Sequence, residues 1–597
     1  MNLIIFDFEV FRNDVLLGAI LIEENKTSVI QTWNKEEILN FYNNNKNSIW
    51  IGQNISHYDN YILQSIVSNK DVFKTSQNII KENKTPYLNI KLNYFDLIDF
   101  RFCSLKHIEA CYGKKISESE IDFEIDRTLT EEEKIKIESY NLDDLDQTYD
   151  CFVEIFDEFR LRLELMQEFN LNLNVLHITE NQIGEMVLQA EQLKNADKLY
   201  LPPTMYPNLK VKNEIAKDFY LEEKFREKGV HDTITICNLK HNIGAGGIHG
   251  AIKKCYYKEA YYLDVSGYYN LVMINYDLLP RCLTEENKKR YIDLYHYQLE
   301  LKKINPIKRG AVKIILLAVF GGMGNSYSKF YDPYKCSLVT IVGQMFLIDL
   351  LEKLEGKIEL IQSNTDGIMI NPLPSSSIEE VKEIVDEWQQ RTKFNLKFDK
   401  IYNLYQRDVN NYVFSNEDKT KLHCKGEIVT HYNNWKKPYL TSAYSSLLPL
   451  IICHCIVDFL IYGITPEETI EKNKNNLILF QFICRKVSFD YVEYLIINNE
   501  TNNIVSKKVQ NVNRAFPKKK DKYTCSLIKV KESNGKIKKQ KFQNLPDDII
   551  LYNEEISSEK AIKYLHSKID FNYYIEKSYE RIKEFIDLPI IKDIKDE

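Results

Sequence analysis

Two aspartates in the middle of the sequence, Asp264 and Asp366, have surroundings that suit metal-ion chemistry. Asp264 ends the apolar, aromatic run 261–263, which predicts a buried strand. A buried carboxylate is costly unless it meets a cation or a metal. Asp366 lies in Asn364-Thr365-Asp366-Gly367, between two short apolar runs that indicate a hairpin in the same sheet. Two aspartates at adjacent strand ends can share two metal ions with the phosphates of a nucleotide. The alternative for Asp264 is that it caps the helix predicted from Tyr268.

A second group of acids lies in the N-terminal part of the chain. Asp7 and Glu9 are two residues apart on a predicted strand, so they lie on the same face, and their repulsion favours a bound cation. Asp59 stands near the start of a predicted helix. Tyr140 and Asp144 are four residues apart in a helical pattern and therefore share one face. The alternative for Asp144 is an acidic helix face exposed to solvent.

Basic and glycine-rich stretches provide candidate contacts for phosphates. Segments 281–304 and 308–320 predict two helices joined by Asn305-Pro306, which is an αα-hairpin. Its cationic face, suited to a triphosphate, consists of Lys302, Lys308 and Lys313.

The stretch 241–250 includes Gly246 and Gly247 and predicts a loop whose backbone can approach a ligand closely. A flexible hinge is the alternative there.

The remaining patterns predict the elements that position these residues. A hairpin is predicted around Ser533-Asn534-Gly535, and Leu201-Pro202-Pro203 marks a predicted domain boundary. Further helices are predicted over 161–167, 179–193, 268–276, 442–463, from 466, and over 575–597.

Composition limits the class of protein. At 597 residues the chain is too long for a single core, so about three to five domains are expected. The net charge of −7 argues against a uniformly basic nucleic-acid coat. Twelve scattered cysteines favour a reducing cytoplasm, and Cys453-His454-Cys455 lies in an apolar run that favours core packing over a zinc site. We expect neither a secretory leader nor an apolar run that spans a bilayer.

Taken in order, the N-terminal motifs Asp-x-Glu, Asn-x4-Asp and Tyr-x3-Asp resemble those of proofreading 3′–5′ exonucleases with an RNase H-like fold. The resemblance implies two divalent ions ~4 Å apart, one activating water and the other stabilising the leaving 3′ oxygen. Tyr140 would orient the attacking water and Asn54 would contact the 3′-terminal strand. The implied metal ligands are Asp7, Glu9, Asp59 and Asp144. Leu105-Lys106-His107 is a further candidate segment near this site, to which the resemblance gives no role.

The central motifs resemble those of family B DNA polymerases. Residues 264–269 are similar to motif A, Lys313-x6-Phe320-Gly321 to motif B, and Asn364-Thr365-Asp366 to motif C. With the exonuclease set, six elements occur in the family's order across 1–412. The short chain before Asp7 resembles compact phage and plasmid members.

Several positions depart from the family's motifs. Asn364 replaces the first aspartate of motif C, which leaves two core carboxylates instead of three. Leu317-Ala318 replaces the Asn-Ser of motif B, and Asn270 replaces the proline that follows motif A. No departure removes a group that two-metal chemistry must have, but fidelity and metal preference could differ.

Roles at the polymerase site follow from the resemblance. Asp264 and Asp366 would hold both metals, assisted by the carbonyl of Val265. Tyr269 would be the steric gate whose ring fills the space of a 2′-hydroxyl, and Phe320 would pack beneath the nascent base pair. The nucleotide-binding residues are therefore Lys313, Tyr269, Val265, Phe320 and Lys302.

Further DNA contacts are also implied by resemblance. Gly246-Gly247 is similar to a template-binding loop, although Gly244 replaces its usual aromatic residue. Tyr412 sits where a primer-binding Lys-x-Tyr is expected, and Lys425-Gly426 is assigned as another backbone contact. The basic segment 514–541 predicts a thumb that grips duplex phosphates, so neutralising it at Lys518, Lys519 and Lys520 should weaken DNA binding. The alternative is a solvated lysine-rich hairpin.

The predicted fold class is a mixed α/β and α+β multidomain protein, an RNase H-like exonuclease followed by a right-hand polymerase with palm, two-helix fingers and thumb. The predicted divisions are an exonuclease (1–160), a connecting region with the glycine-rich loop (161–250), palm (251–280), fingers (281–330), palm (331–430), and thumb with the C-terminal DNA-binding region (431–597).

The predicted function is primer extension by a DNA-templated DNA polymerase with 3′–5′ proofreading, in phage or mobile-element replication. Spacings of 49 residues from Asp264 to Lys313 and 53 from Lys313 to Asp366 leave no room for the extra subdomains of protein-primed relatives, so a nucleic-acid primer is expected. The cofactors would be two Mg²⁺ or Mn²⁺ ions per site. We expect a cytoplasmic monomer, in the host cell's cytoplasm if viral. Its partners would be primer–template DNA, dNTPs, and a helicase, primase or single-strand-binding protein, without a membrane. The alternative is a 3′–5′ exonuclease with a degenerate, non-catalytic polymerase platform.

Overall fold

The computed structural model describes residues 2–101, 103–119, 121–196, 208–221, 230–265, 267–426, 429, 432, 448–533 and 535–587. The chain divides into two compact units. The first comprises Met1–His177, Asn434–Ile451 and Ile470–Tyr574, and the second comprises Ile178–Asn433, Ile452–Thr469 and Ile575–Glu597. The predicted boundary at Leu201-Pro202-Pro203 lies outside the described residues. The six-part division therefore stays a prediction.

The N-terminal part of the first unit is a mixed five-stranded sheet of order β3-β2-β1-β4-β5. Central β1 is apolar on both faces, since Phe6 belongs to one buried cluster and Ile5 to the other. Asp7 and Glu9 share the face of Ile5 because side chains alternate along a strand. The strands are β1 (Leu3–Val10), β2 (Val15–Ile22), β3 (Thr27–Thr32), β4 (Ile49–Gly52) and β5 (Asn93–Asp96). The helices are α1 (Lys35–Asn44), α2 (Asp59–Val67), α3 (Val72–Glu82), α4 (Ile98–Arg101), α5 (Leu105–Cys111), α6 (Glu131–Glu154) and α7 (Phe156–Glu168), followed by a 3₁₀ turn, Leu173–Leu176.

The second unit is built on an antiparallel nine-stranded sheet of order β14-β13-β12-β9-β11-β10-β8-β7-β6. The predicted hairpin of Asp366 is β10–β11, and β11 pairs with β9, which carries Asp264, so both aspartates belong to one sheet. The strands are β6 (His231–Ile236), β7 (Leu239–Gly244), β8 (Gly247–Ala251), β9 (Cys255–Val265), β10 (Ile358–Asn364), β11 (Gly367–Pro372), β12 (Leu396–Asp408), β13 (Asn411–Ser415) and β14 (Leu422–Lys425). The helices are α8 (Glu180–Val187), α9 (Glu214–Leu221), α10 (Tyr268–Asn275), α11 (Glu285–Glu300), α12 (Pro306–Met323), α13 (Pro333–Leu354) and α14 (Ile378–Thr392).

Helix α13 corrects one prediction. Pro333–Leu354 is long and apolar enough to cross a bilayer by length and composition, so the expectation that the chain holds no such run is wrong. Within the protein, 72% of its most apolar stretch is buried. Helix α13 packs against α10 and α14, as a core helix does.

The glycine-rich stretch is a β-hairpin, so the prediction of a loop there is wrong. Strands β7 and β8 pair with Gly244 opposite Gly247, and only Ala245 and Gly246 form the turn. Gly247 has a φ of 156°, a backbone conformation that side-chain-bearing residues rarely adopt. Glycine at this position therefore allows the tight turn that connects β7 to β8.

Helix predictions were correct in kind but less so at their ends. The two helices of the αα-hairpin are confirmed as α11 and α12. The helix capped by Thr179 ends at Val187, earlier than predicted, because Gln189 takes a left-handed conformation (φ 47°). In the stretch 442–463 the described helix is Leu450–Val457, continued by a π turn to Tyr462. The last described helix is Phe571–Ile582, and 588–597 lies outside the described residues.

The C-terminal part of the first unit contains two small sheets. The predicted hairpin is confirmed as β19–β20, although Asn534 itself lies outside the described residues. The strands are β15 (Phe482–Arg485), β16 (Tyr491–Asn498), β17 (Ile504–Val509), β18 (Val512–Pro517), β19 (Tyr523–Ser533), β20 (Lys536–Lys541) and β21 (Ile549–Leu551). Short helices are Pro466–Asn473, whose residues 466–469 belong to the second unit, Leu477–Phe480 (3₁₀) and Glu559–Lys568.

Two residues of the basic segment are structural. Arg514 is fully buried, and its guanidinium donates to the carbonyls of Ala110 (3.2 Å) and Lys114 (2.8 Å) and to the side chain of Gln481 (2.7 Å). Lys518 is also buried, and its ammonium lies 2.7 Å from a carboxylate oxygen of Asp521. Burial and this ion pair restrict the Lys518 ammonium, and the predicted contribution of Lys518, Lys519 and Lys520 to DNA binding stays a prediction.

Candidate active sites

Three of the four acids predicted as N-terminal metal ligands converge on one point, and Asp59 is not part of that group. Asp7, Glu9 and Asp144 each place a carboxylate oxygen within 4.8 Å of the others, and they form the one such group of metal-ligand type among the described residues. Asp144 is buried on α6, whereas its neighbour Asp143 is exposed. The alternative of an acidic helix face in solvent is therefore wrong for Asp144.

Burial and mutual repulsion dominate the electrostatics of this group. Burial, followed by the negative charge of Asp144, raises the pKa of Asp7 to about 7. Burial also raises the pKa of Glu9 and of Asp59 well above their usual values, with Asp7 as the next cause for both. Carboxylates held apart from water and close together favour a bound cation.

Lys106 brings a positive charge into the group. Its Nζ lies 2.5 Å from Oδ1 of Asp144 and 3.1 Å from Oε1 of Glu109, and 4.5 Å from the ring centroid of Tyr140. The hydroxyl of Tyr140 also donates to Asp144. The segment 105–107 therefore does lie at this site, although the sequence suggested no role for it. Helix α5 presents Lys106 across a separation of 38 residues from Asp144.

Helix α6 packs against β2, and this contact brings Asn141 to Asp7. Nδ2 of Asn141 donates to Oδ2 of Asp7 (2.9 Å), and Nε2 of Gln31 donates to Oδ1 of Asn141 (3.1 Å). Gly18, which pairs with Asp7, makes this possible, because a Cβ there would lie 1.8 Å from Oδ1 of Asn141. No local pattern in the sequence signals Asn141, Gln31 or Gly18.

The turn that carries Asn54 leads into Asp59. Oδ1 of buried Asp96 accepts from the backbone N–H of Asn54 (2.7 Å), and Oδ2 accepts from that of Ser56 (2.7 Å). Asn54 itself takes a left-handed conformation (φ 67°). Oδ1 of Asp59 accepts from the N–H of Phe8 (3.1 Å), which fixes this carboxylate against β1.

A cavity of about 390 Å³ opens beside Glu9. It is bounded by an apolar and aromatic wall and several polar groups, namely Phe8, Val10, Tyr58, Ser76, Gln77, Ile80, Lys81, Asp122, Phe123 and Glu124. Cavities of this size enclose ligands of the size of a nucleotide.

In the second unit, Asp264 pairs directly with Gly367, so Asp366 stands one residue away at the hairpin turn. The backbone N–H of Val265 donates to the carbonyl of Asp366 (2.9 Å), which joins the two motifs. The N-cap residue of α10 is Gly267, without a capping side chain. The alternative that Asp264 caps this helix is therefore wrong.

Burial raises the pKa of both aspartates, and the charge of Asp264 is the second cause at Asp366. The hydroxyl of Tyr262 donates to Oδ1 of Asp264 (3.3 Å). Lys425 and His249 lower the pKa of Asp366, which places both side chains near it. The sequence predicts a DNA contact for Lys425 and gives no signal for His249.

The residues predicted to bind a nucleotide come from several elements, with Lys313 and Phe320 on α12 and Tyr269 on α10. The rings of Tyr269 and Phe320 stack with centroids 4.2 Å apart and an interplanar angle of 11°. Lys313 and Leu317 are exposed on α12 at helical spacing from Phe320, and Leu317 is 54% exposed. Lys302 is exposed just beyond α11, and the ammonium of Lys308 lies over the ring of Tyr297.

The residues predicted to contact DNA lie in three places. Gly246 is exposed at the hairpin turn, and a Cβ on Gly247 would lie 2.3 Å from Oγ1 of Thr365. Tyr412 is 2% exposed and belongs to a buried cluster of the sheet, so its predicted contact with the primer stays a prediction. Lys425 lies 5.7 Å from the centroid of that ring, and Gly426 has a φ of 97° that suits glycine alone.

The raised pKa of Asp7 predicts a pH-dependent cost to stability. Because the folded-state pKa lies near 7, the favourable protonated form is present at low pH and is lost as the pH rises through 7. Without metal, Asp7→Asn should therefore stabilise the first unit at pH 8 by about 1–3 kcal/mol, and much less at pH 5. Calorimetry in a chelator at both pH values measures this, and a pH-independent difference would contradict it.

Comparison with known proteins gives a partial match. No protein-family model matches the sequence. A 106-residue segment, 17% of this chain, is 32% identical to the DNA polymerase alpha catalytic subunit of Mus musculus. The structure of the family B DNA polymerase from the hyperthermophilic archaeon Pyrobaculum calidifontis is similar over 99% of this chain and 78% of that chain, at 13% identity and a TM-score of 0.44. The chain spans 7% of the length of the mouse protein, and over that segment it is similar to a DNA polymerase catalytic subunit.

Proposed function

We propose that this protein is a family B, DNA-templated DNA polymerase that extends a primer 3′ end with deoxynucleotides and proofreads by 3′–5′ exonuclease action. The observation that carries the proposal is the pairing of Asp264 with Gly367, which brings two partly buried aspartates to adjacent strand ends. The short match to a DNA polymerase catalytic subunit supports the same assignment.

At the polymerase site, the hard oxygen ligands of Asp264 and Asp366 suit Mg²⁺ or Mn²⁺, two ions being expected. When bound, such ions supply activation of the primer hydroxyl and neutralisation of phosphate charge. Lys313, exposed on α12, binds the triphosphate. The Tyr269 ring, held by its stack on Phe320, blocks the space that a 2′-hydroxyl needs.

At the exonuclease site, Asp7, Glu9, Asp59 and Asp144 are the proposed ligands of two further ions. The fit rests on three carboxylates that already converge within 4.8 Å and on their raised pKa values. Tyr140 orients a water molecule, Asn54 contacts the 3′-terminal strand, and Lys106 orients Asp144 and offsets its charge. The cavity beside Glu9 receives the terminal nucleotide.

The remaining parts of the proposal follow from the resemblance of the motifs. We place the protein in phage or plasmid replication, acting as a monomer in the cytoplasm on a nucleic-acid primer. The β7–β8 hairpin, Tyr412 and Lys425-Gly426 contact primer–template DNA. A helicase, primase or single-strand-binding protein supplies strand opening and priming.

A labelled primer–template with Mg²⁺, assayed with and without dNTPs, tests the proposal. Extension with dNTPs and shortening without them are expected. Shortening whatever dNTP is supplied would favour the second candidate, a 3′–5′ exonuclease whose polymerase region is a non-catalytic platform. Asn364, which removes one acid from motif C, is the observation that favours this candidate.

Sugar selectivity tests the role of Tyr269. Tyr269→Ala should lower the preference for dNTPs over rNTPs by about 10-fold or more, because the ring that fills the space of the 2′-hydroxyl is removed. Tyr269→Phe keeps the ring and should keep the preference. The ratio of kcat/KM for a dNTP and the matching rNTP measures the effect, and an unchanged ratio in Tyr269→Ala would assign the gate to another residue.

A further inference from the structure

Two histidines of the β7–β8 hairpin hold the end of β10, the strand that leads into the Asp366 turn. The first is His241, which is fully buried. Its Nδ1 lies 2.7 Å from Oγ of Ser363, and its Nε2 lies 3.3 Å from the carbonyl of Ile236. Because a carbonyl only accepts, Nε2 carries the proton and Nδ1 accepts from Ser363. His241 therefore fixes the residue just before Asn364.

The second is His249, which stands directly opposite Asn364 in the β8–β10 register. The imidazole is half-buried and hydrogen-bonds the side chain of Asn364. Its Nδ1 is buried and has no hydrogen-bond partner among the described residues. An unpaired buried nitrogen costs free energy, so a position with only a packing role is better filled by an apolar residue.

The turn beyond Asn364 is held by backbone contacts from both sides. The N–H of Thr365 donates to the carbonyl of Ile248 (3.0 Å), and the N–H of Val265 donates to the carbonyl of Asp366 (2.9 Å). Thr365 has a φ of 23°, a conformation that needs such support. The side-chain link between His249 and Asn364 adds a further restraint at the residue two positions before Asp366.

We propose that His249 is a positioning residue of the polymerase site, which acts through Asn364 to aim the carboxylate of Asp366. The neutral His249–Asn364 pair thereby supports the turn at the position where the family motif has an additional aspartate. The inference rests on the proposed polymerase function.

Primer extension by the full chain with Mg²⁺ tests this role. His249→Ala should lower kcat by about 10-fold or more and raise the Mg²⁺ concentration for half-maximal rate several-fold, as the loss of groups that orient metal ligands does. The KM for dNTP should change little. His249→Gln, which can still hydrogen-bond Asn364, should restore most of kcat. His231→Ala, at an exposed histidine of β6, is the matched control and should behave as wild type.

A double-mutant cycle separates positioning from general packing. If the two side chains act as one unit, His249→Ala combined with Asn364→Ala should be within about 2-fold of the worse single variant. Multiplicative losses would overturn the inference, as would an unchanged kcat and Mg²⁺ dependence in His249→Ala. Failure of His249→Gln to improve on His249→Ala would also overturn it.

Two controls separate failure of this inference from misfolding of a variant and from failure of the proposed function. Degradation of single-stranded DNA, which the first unit is proposed to perform, should be unchanged in all variants, and its loss would show that a variant is misfolded. If His249→Gln degrades DNA normally, its kcat for primer extension then shows whether a hydrogen-bonding side chain at this position restores the activity. If wild type itself fails to extend a primer, the proposed function fails and this inference with it. If wild type extends and His249→Ala matches it, this inference alone fails.

Discussion

Asp366→Ala should abolish primer extension, lowering kcat by about 10³-fold or more. The carboxylate stands at the turn next to Asp264, and a single remaining aspartate cannot hold two ions and the phosphates between them. Degradation of single-stranded DNA should stay within about 2-fold of wild type, because its proposed ligands belong to the first unit and Asp366 to the second. Steady-state extension of a labelled primer measures the first effect and gel analysis of a labelled strand the second.

A matched control for this variant is Asp386→Ala, which removes an exposed acid from α14 in the same unit. Its extension rate should equal that of wild type. If Asp366→Ala still extends primers at a rate near wild type, the assignment of this turn to catalysis is wrong. If both variants lose activity equally, the loss reflects stability of the unit.

Asp144→Asn should lower 3′–5′ degradation by about 10²-fold or more while leaving primer extension intact. The substitution removes a charged ligand and replaces one of the oxygens that meet within 4.8 Å, and it also breaks the ion pair with Lys106. Asp143→Asn is the closest possible control, since Asp143 is the preceding residue on α6 but is exposed. The rate of loss of labelled 3′ nucleotides measures both variants.

Equal effects of Asp144→Asn and Asp143→Asn would contradict the site assignment. They would indicate that the overall negative charge of α6, rather than the converging group, controls degradation. Unchanged degradation in both variants would assign the activity to other residues.

The residues that could be predicted from the sequence are those whose chemistry is expressed in local spacing. Asp7 and Glu9 share a face because strand side chains alternate, and Asp366 was placed at a hairpin turn by the Asp-Gly pair between apolar runs. The expectation that Asp264 and Asp366 share a sheet was correct for the same reason. Their catalytic roles stay predictions until they are measured.

Contacts that form only through tertiary packing could not be predicted from local spacing. Lys106 meets Asp144 from another helix, and His249 meets Asn364 across a strand pair 115 residues apart in sequence. Lys518 looked like part of an exposed cationic run, but its side chain is 7% exposed and pairs with the carboxylate of Asp521, which stays 47% exposed. The sequence shows how many charged residues a segment contains. Whether a charged side chain is buried depends on the residues that the fold places around it.

Single-nucleotide incorporation by the Asp144→Asn variant, whose degradation is expected to be about 10²-fold slower than in wild type, is the most direct test of the proposed polymerase activity. With Mg²⁺ and a defined primer–template, the primer should gain one nucleotide only with the dNTP complementary to the template base. Absence of any addition with all four dNTPs, in either Mg²⁺ or Mn²⁺, would contradict it.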